Sequence, residues 1–304
     1  MPANGITASA AGELTLGDLT VRRMGFGAMR ICGEGIWGDP ADREGTIALL
    51  RHLVDLDVNL IDTADSYGPE VSETLIAEAL HPYPDGMVIA TKGGLTRQGP
   101  GSWGIDARPE RLKQACEASL RRLQVDTIDL YQLHSPDPKV PFEESVGALA
   151  ELREEGKVRN VGVSNVGVDQ AAQSGNSEDG IRQLERAREI VPVVSVQNRY
   201  SLTKPRFEEL LAHCEQERIG FIPWSPIDWG ELSGSDSLRE IAATHDATPT
   251  QVALAWLLQH SPVMLPIPGT ASLEHLDENV AAASLRLSEE EMEQAAAAAR
   301  GDRG

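Results

Sequence analysis

Four side chains able to hold or pass a proton sit at the ends of three successive apolar runs of this chain. Val58-Asn59-Leu60-Ile61 stops at Asp62, with Tyr67 five positions later. Met87-Val88-Ile89-Ala90-Thr91 stops at Lys92, and Ile128-Asp129-Leu130-Tyr131-Gln132-Leu133 stops at His134. Together they suit proton delivery to a carbonyl oxygen. A free phenol, with a pKa near 10, is too weak an acid for the task, and an ammonium beside it lowers that value. The expectation is therefore that Lys92 lowers the Tyr67 phenol, Asp62 keeps Lys92 charged and aimed, and His134 orients the substrate oxygen. The set supplies an acid but neither a nucleophile nor an electron source. The missing reagent is a hydride donor, because protonating oxygen completes a reduction once hydride has reached carbon. Singly, Asp62 reads as a helix cap, Lys92 as a snorkelling surface residue and His134 as a core histidine. Their joint occurrence at successive run ends is what marks a site.

Such residues converge only if the runs are strands opening onto one mouth. Counting Met24-Gly25-Phe26-Gly27 as the first, strands are expected near 24–27, 58–62, 87–91, 127–133, 158–163, 192–197, 219–223 and 263–267. Amphipathic helices are expected over 40–56, 70–80, 108–123, 142–156, 180–190, 205–217, 248–260 and 272–284, with an extra helix from Ser288 to Arg300. Eight strand–helix units close naturally into a (β/α)8 TIM barrel. An open doubly wound sheet would want GxGxxG after its first strand, whereas Gly25-Phe26-Gly27 continues with Ala28-Met29-Arg30. Leu14 to Val21 reads as an N-terminal β-hairpin turning at Gly17-Asp18, and residues 1–12 as a flexible tail before a single barrel domain over 13–304.

The remaining strand ends fit a nicotinamide. Ser164, Asn165 and Gln197 offer donors and acceptors for a carboxamide, and Trp224, followed by Ser225 and Pro226, is flat enough to stack on a ring. After Ile267, the Gly269-Thr270 segment enters a helix whose free backbone N–H groups suit phosphate. Loop residues Met29, Trp37, Trp103 and Trp229 are the candidate substrate walls.

A formal charge of -20 disfavours nucleic acid and an anionic membrane as partners, since the protein's field repels both. Cys32, Cys116 and Cys214 have no metal-ligand spacing and no CxxC pairing, so no metal is expected and the thiols read as reduced and structural. With neither a basic-then-apolar N-terminal segment nor 18 consecutive apolar residues, the expected compartment is the cytoplasm and the expected state a monomer or weak homo-oligomer.

The strings Asn59-Leu60-Ile61-Asp62-Thr63-Ala64-Asp65-Ser66-Tyr67-Gly68, Ala90-Thr91-Lys92-Gly93-Gly94, Leu130-Tyr131-Gln132-Leu133-His134, Gly162-Val163-Ser164-Asn165, Val196-Gln197-Asn198 and Ile267-Pro268-Gly269-Thr270 resemble the aldo-keto reductases, in order, from Leu14 to Ala283. The resemblance implies a tetrad of Asp62, Tyr67, Lys92 and His134, carboxamide contacts at Ser164, Asn165 and Gln197, a ring-stacking Trp224, and NADPH bound before a small-molecule aldehyde or ketone. Gly35-Ile36-Trp37-Gly38, with Arg97, Gly99, Pro100 and Trp103, resembles the branch containing pyridoxal reductases. Glu278 and Asn279 match the family's adenine contacts. Many relatives carry a Lys and an Arg for the 2'-phosphate of NADPH where this chain aligns Gly269 and His275, leaving Ser272 to contribute a hydroxyl and NADH as an alternative cofactor. Val168 to Gly180 reads as an insertion on the functional face, with the composition of a mobile loop. The rivals are a non-catalytic nicotinamide-binding barrel serving as redox sensor or partner subunit, which would need neither Tyr67 nor Lys92, and a metal-dependent hydrolase, which would want histidines on the first strand.

Overall fold

Strand β1 (Glu13–Leu16) turns at Gly17 and Asp18 into the antiparallel β2 (Leu19–Arg22). Gly17 takes φ +66°, and a Cβ there would meet Asn160 Oδ1 at 2.1 Å, so both turn geometry and space require glycine. In the computed structural model, which describes residues 5–169, 174–227 and 236–301, the hairpin packs Leu16, Leu19 and Val21 against Leu60, Val88, Ala90, Leu130 and Ile222. Asn59, just before its strand, accepts from Arg22 N and donates to Thr20 O. The hairpin thus closes the N-terminal end of the barrel and leaves the other end open.

The units follow in order: β3 (Phe26–Gly27) and α1 (Arg43–Asp55), then β4 (Leu60–Asp62) and α2 (Val71–Leu80). After β5 (Val88–Gly93) comes a second hairpin, β6 (Leu95–Gly99) with β7 (Ser102–Ile105), before α3 (Pro109–Leu123). Next are β8 (Ile128–Leu133) with α4 (Phe142–Glu154), and β9 (Val158–Ser164). A short antiparallel pair, β10 (Val168–Asp169) and β11 (Ser174–Gly175), leads to α5 (Ser177–Arg188). The chain ends with β12 (Val193–Arg199), α6 (Glu208–Glu217), β13 (Gly220–Trp224), α7 (Asp236–Thr244), α8 (Pro249–His260), α9 (Leu273–Ala281) and α10 (Glu289–Gly301). Strands β3, β4, β5, β8, β9, β12 and β13 are parallel neighbours in that order. Residues 263–267 join the two edges: Phe221 N donates to Val263 O at 2.9 Å, Leu265 N to Phe221 O at 2.9 Å, and Gly25 N to Pro266 O at 3.0 Å. The fold is the expected (β/α)8 barrel.

Period two along each strand decides which residues face inward. Leu60, Val88, Ala90, Leu130, Ile222, Leu265 and Ile267 fill the interior, while the opposite faces of the strands pack on the helices in the larger core. Fully burying each Leu or Ile contributes about 1.5–3 kcal/mol. The closing seam is tight where β3 ends: a Cβ on Gly27 would lie 2.6 Å from Ile267 O, and one on Gly269 2.4 Å from Gly27 O. Glycine at both positions lets the two backbones touch.

Four local expectations change. Residues 8–11, placed in the flexible tail, form a 3-10 turn with Ala8 and Ala11 buried, because Ala8 N donates to Leu56 O at 2.8 Å and Arg286 binds Ala10 O. The eighth strand is an extended segment making one bridge to β13, since Pro266 and Pro268 lack donors for a regular ladder. Within the expected loop at 168–180, the described residues form β10, β11 and the start of α5, whose first turn is capped by the Asn176 side chain accepting from Asp179 N. Helix α7 was not expected: its nine residues bury only Leu238, Ile241 and Ala242, a short signal after a polar stretch. Among the described residues no helix is long and apolar enough to cross a membrane.

Candidate active site

Residues of four strands meet at one buried ion pair. Asp62 closes β4 and Lys92 sits near the end of β5, and the parallel register places these strands side by side. Lys92 is 0% exposed, and its Nζ donates to Asp62 Oδ1 at 2.5 Å and to Thr63 O at 2.8 Å. Asp62 Oδ2 accepts from Gln132 Nε2 at 3.0 Å and from Gln197 Nε2 at 2.8 Å. Both carboxylate oxygens are therefore engaged, as a charge this deeply buried requires. Gln132 was not singled out from the sequence, although it lies two residues before His134 on the same face of β8, so strand alternation could have found it.

Tyr67 is buried on the turn after β4, its ring centroid 5.2 Å from Lys92 Nζ. Its edge-on neighbours are His134, centroids 5.9 Å apart, and Trp103, 6.5 Å apart. Burial works against the Lys92 charge, but Asp62 and Tyr67 outweigh it and hold the ammonium above its ordinary value. The Tyr67 phenol behaves otherwise than the sequence led us to expect. Burial raises it, Lys92 lowers it and Asp62 raises it again, leaving it above its ordinary value. Lys92 thus moderates the cost of desolvating the phenolate without cancelling it. His134 is held well below the ordinary imidazole value, first by burial and then by the Lys92 charge, so this ring is neutral at pH 7. Its Nδ1 is buried and has no hydrogen-bond partner among the described residues.

Three of the four groups open into a cavity of about 590 Å³ at the C-terminal end of the barrel, with Lys92 buried behind them. Asp62, Tyr67 and His134 line it, as do Ser164, Asn165, Gln197, Trp224, Ser225, Pro226, Ile267 and Gly269. Hydrogen bonds pre-orient this second group. Ser164 Oγ donates to Gln197 O at 2.8 Å, Asn165 Nδ2 to His134 O at 2.9 Å, and Trp224 Nε1 to Asn165 Oδ1 at 3.1 Å. Asn165 and Ser225 adopt φ +57°, a left-handed turn directly after β9 and β13 that few residues other than glycine and asparagine take readily. The Gln197 amide nitrogen is turned to Asp62 and, at 3.5 Å, to Gln132 Oε1, which leaves its carbonyl oxygen for a carboxamide. The half-buried Trp224 offers a flat indole surface, with Arg199 5.5 Å from its ring centroid. These groups and the adjoining glycine seam fit a nicotinamide ring.

Beyond the cavity, Thr270 is buried and its Oγ1 accepts from Ser272 N at 3.0 Å. Ser272 Oγ accepts from His275 N at 3.4 Å and so caps α9. Two of the N–H groups at this helix entry, expected to be free for phosphate, are therefore already bound. His275 is exposed, Glu278 half-buried with its carbonyl accepting from Gln251, and Asn279 buried. Of the substrate-wall candidates, Met29 and Trp103 line the cavity. Trp37 is set back, its backbone bridged to Gly68 and its ring 5.8 Å from the Arg97 guanidinium, and Trp229 lies outside the described residues. The apolar wall is completed by Ile36, Leu95, Ile105 and Ile227, which loop composition alone did not disclose. Among the described residues, no group of His, Cys, Asp and Glu is arranged to hold a metal ion.

Known proteins share this architecture. The model of the aldo/keto reductase family matches residues 23–300. The chain is 48% identical over 286 residues to an uncharacterised oxidoreductase of Schizosaccharomyces pombe, covering 94% of this chain and 89% of that one. It is 39% identical over 288 residues to pyridoxine 4-dehydrogenase of Escherichia coli, covering 92% and 96%. Among solved structures, an aldo-keto reductase from Klebsiella pneumoniae in complex with NADPH superposes with TM-score 0.77 at 28% identity over 93% of each chain. Glycerol dehydrogenase from Gluconobacter oxydans gives TM-score 0.80 at 26% identity over 95% of each. By the extent of these matches the chain belongs to the aldo-keto reductase family and is an NAD(P)H-dependent oxidoreductase.

Proposed function

We propose that this protein reduces an aldehyde or ketone to the alcohol, with Tyr67 as the proton donor. The observation that carries the reading is the buried Lys92–Asp62 pair beneath Tyr67 at the floor of a largely apolar cavity. Trp224 would hold the nicotinamide of NADPH and Ser164, Asn165 and Gln197 its carboxamide, and the cofactor when bound would supply the hydride for the carbonyl carbon. As charge develops on the carbonyl oxygen, Tyr67 gives up its proton, and the phenolate so formed lies beside the Lys92 ammonium. That ammonium is held in place and kept charged by Asp62, whose other oxygen is fixed by Gln132 and Gln197. His134, being neutral, orients the carbonyl oxygen by a hydrogen bond and leaves the proton transfer to Tyr67.

The substrate class proposed is a planar aromatic aldehyde, pyridoxal included. Edge-to-face contacts of Trp103 and His134 around Tyr67, with Met29, Ile36 and Ile105, leave a slot suited to a flat ring. Likeness to pyridoxine 4-dehydrogenase over nearly the whole chain supports the same class. Ser272, His275, Glu278 and Asn279 are proposed to meet the far end of the cofactor, without a Lys or Arg among them for a 2'-phosphate. The test is a panel of pyridoxal, aromatic and aliphatic aldehydes, dicarbonyls and sugar ketones followed by NADPH and NADH absorbance. Turnover of the aromatic members that is lost in Tyr67→Phe, with cofactor binding retained, is the expected result. Failure of the whole panel, with cofactor still bound, would favour the binding-only barrel.

A further inference from the structure

Arg97 lies on the second hairpin, outside the catalytic group, yet its guanidinium ties together three segments that surround the substrate cavity. Nε donates to Ser102 O at 3.2 Å, and Nη2 donates to Gly35 O at 2.7 Å and Gly99 O at 3.3 Å. Nη1 donates to Ile36 O at 2.8 Å and to Ser66 O at 3.3 Å, the carbonyl directly before Tyr67. The guanidinium also lies 3.9 Å from the Trp103 ring centroid. A planar fork with five donors is the one side chain that can serve these carbonyls while stacking on an indole.

Two details show that this arrangement does more than close a hairpin. Gly35 and Ile36 both take left-handed backbone conformations, φ +66° and +57°, and both of their carbonyls accept from Arg97. A β-branched residue adopts that conformation only when its surroundings impose it, and such strain gathers at functional sites. Ile36 lines the cavity. Trp103, 40% exposed at the rim, reaches Tyr67 edge-on while Arg97 covers its ring. The loop after β3, the Tyr67 turn and the second hairpin thus share one cation.

We propose that Arg97 is a positioning residue that fixes the Ile36 and Trp103 walls relative to Tyr67 and so sets the preference for planar aromatic over small aliphatic carbonyls. This rests on the carbonyl-reductase reading above. Arg97 touches neither the reacting atoms nor the cofactor pocket; it acts through the two walls it holds.

The experiment compares the full-length wild type with Arg97→Lys, which keeps the charge and loses the planar fork. Amide hydrogen exchange and steady-state reduction of benzaldehyde and propanal are measured at saturating NADPH. In the variant, exchange should quicken in 35–37 and 66–68 as well as in the hairpin. The KM for benzaldehyde should rise about tenfold, with kcat and the propanal KM each within about twofold. Faster exchange confined to the hairpin, an unchanged benzaldehyde KM, or an equal rise for both aldehydes would overturn the proposal. Where Arg97→Lys does not fold, Arg97→Gln, which keeps a planar amide over Trp103, carries the same comparison with the same outcomes. Wild-type protein that reduces neither aldehyde would defeat the functional reading, and the exchange pattern alone would then decide whether Arg97 joins the three segments.

Discussion

The floor and the rim of the cavity are held by opposite means. At the floor, Lys92 and Asp62 are buried, each bound through side chains and backbone in the barrel wall itself, with both Asp62 oxygens engaged. At the rim, Trp103 on the second hairpin and Ile36 on the loop after β3 depend on one long cation for their placement. The floor can be changed only by leaving a buried charge unpaired, whereas the rim can be rebuilt by altering one hairpin. Chemistry placed on strand ends and recognition placed on loops is the division that lets one barrel serve many substrates.

The strongest way to break the floor is Lys92→Met. It leaves Asp62 buried without its cation, so stability should drop by about 3–5 kcal/mol and turnover should vanish. Denaturant unfolding and NADPH absorbance check both, and a variant as stable as wild type would mean that the pair is not the keystone of the floor. Tyr67→Phe is more selective. Removing one hydroxyl should lower kcat by about 10²–10⁴-fold while the melting temperature and cofactor affinity hold, and unchanged turnover would refute Tyr67 as the acid.

A third test contrasts two carboxylates three positions apart. Asp62 is fully satisfied, but Asp65, also buried, has its Oδ1 without a partner among the described residues, while Arg111 lies 3.6 Å from Oδ2. Burial and then the neighbouring Glu73 push Asp65 up from 3.8 to about 7. The folded chain therefore keeps a proton that the unfolded chain releases near 3.8, and the stability linked to Asp65 falls as pH rises through that window and levels off above it. Asp65→Asn should flatten this slope, by about 2 kcal/mol between pH 5 and 7, as read from unfolding curves at each pH; an unchanged slope would place the titration elsewhere. The smallest effect belongs to the rim: Trp103→Ala should raise the KM for aromatic aldehydes about tenfold with little change in kcat. A loss confined to kcat would mean that Trp103 serves the floor.

Legibility in the sequence followed the same division. The strand ends Asp62, Lys92, His134, Ser164, Asn165, Gln197 and Trp224 could be read in order because parallel strands buried on both faces leave continuous apolar runs whose interruption is conspicuous. The rim was harder. The second hairpin was not among the expected elements, since β6 and β7 are short and half-exposed, with no apolar alternation to announce them. Trp37 and Trp103 looked alike in sequence, yet the fold puts Trp103 on the cavity and sets Trp37 behind it.

What the amino-acid order determined by itself was the alternation of strand and helix, and with it which polar residues cap the apolar runs. Local periodicity carries that information, because side-chain direction along a strand depends only on parity. Register and distance are not local. That Gln132 and Gln197, 65 residues apart, both reach one oxygen of Asp62 depends on how neighbouring strands align around the barrel. That Arg97 gathers carbonyls from Gly35, Ser66 and Ser102 depends on three loops meeting above it. The upward net displacement of the Tyr67 phenol is likewise a property of the closed fold, since burial outweighs a Lys92 charge that the sequence could name but not weigh against desolvation.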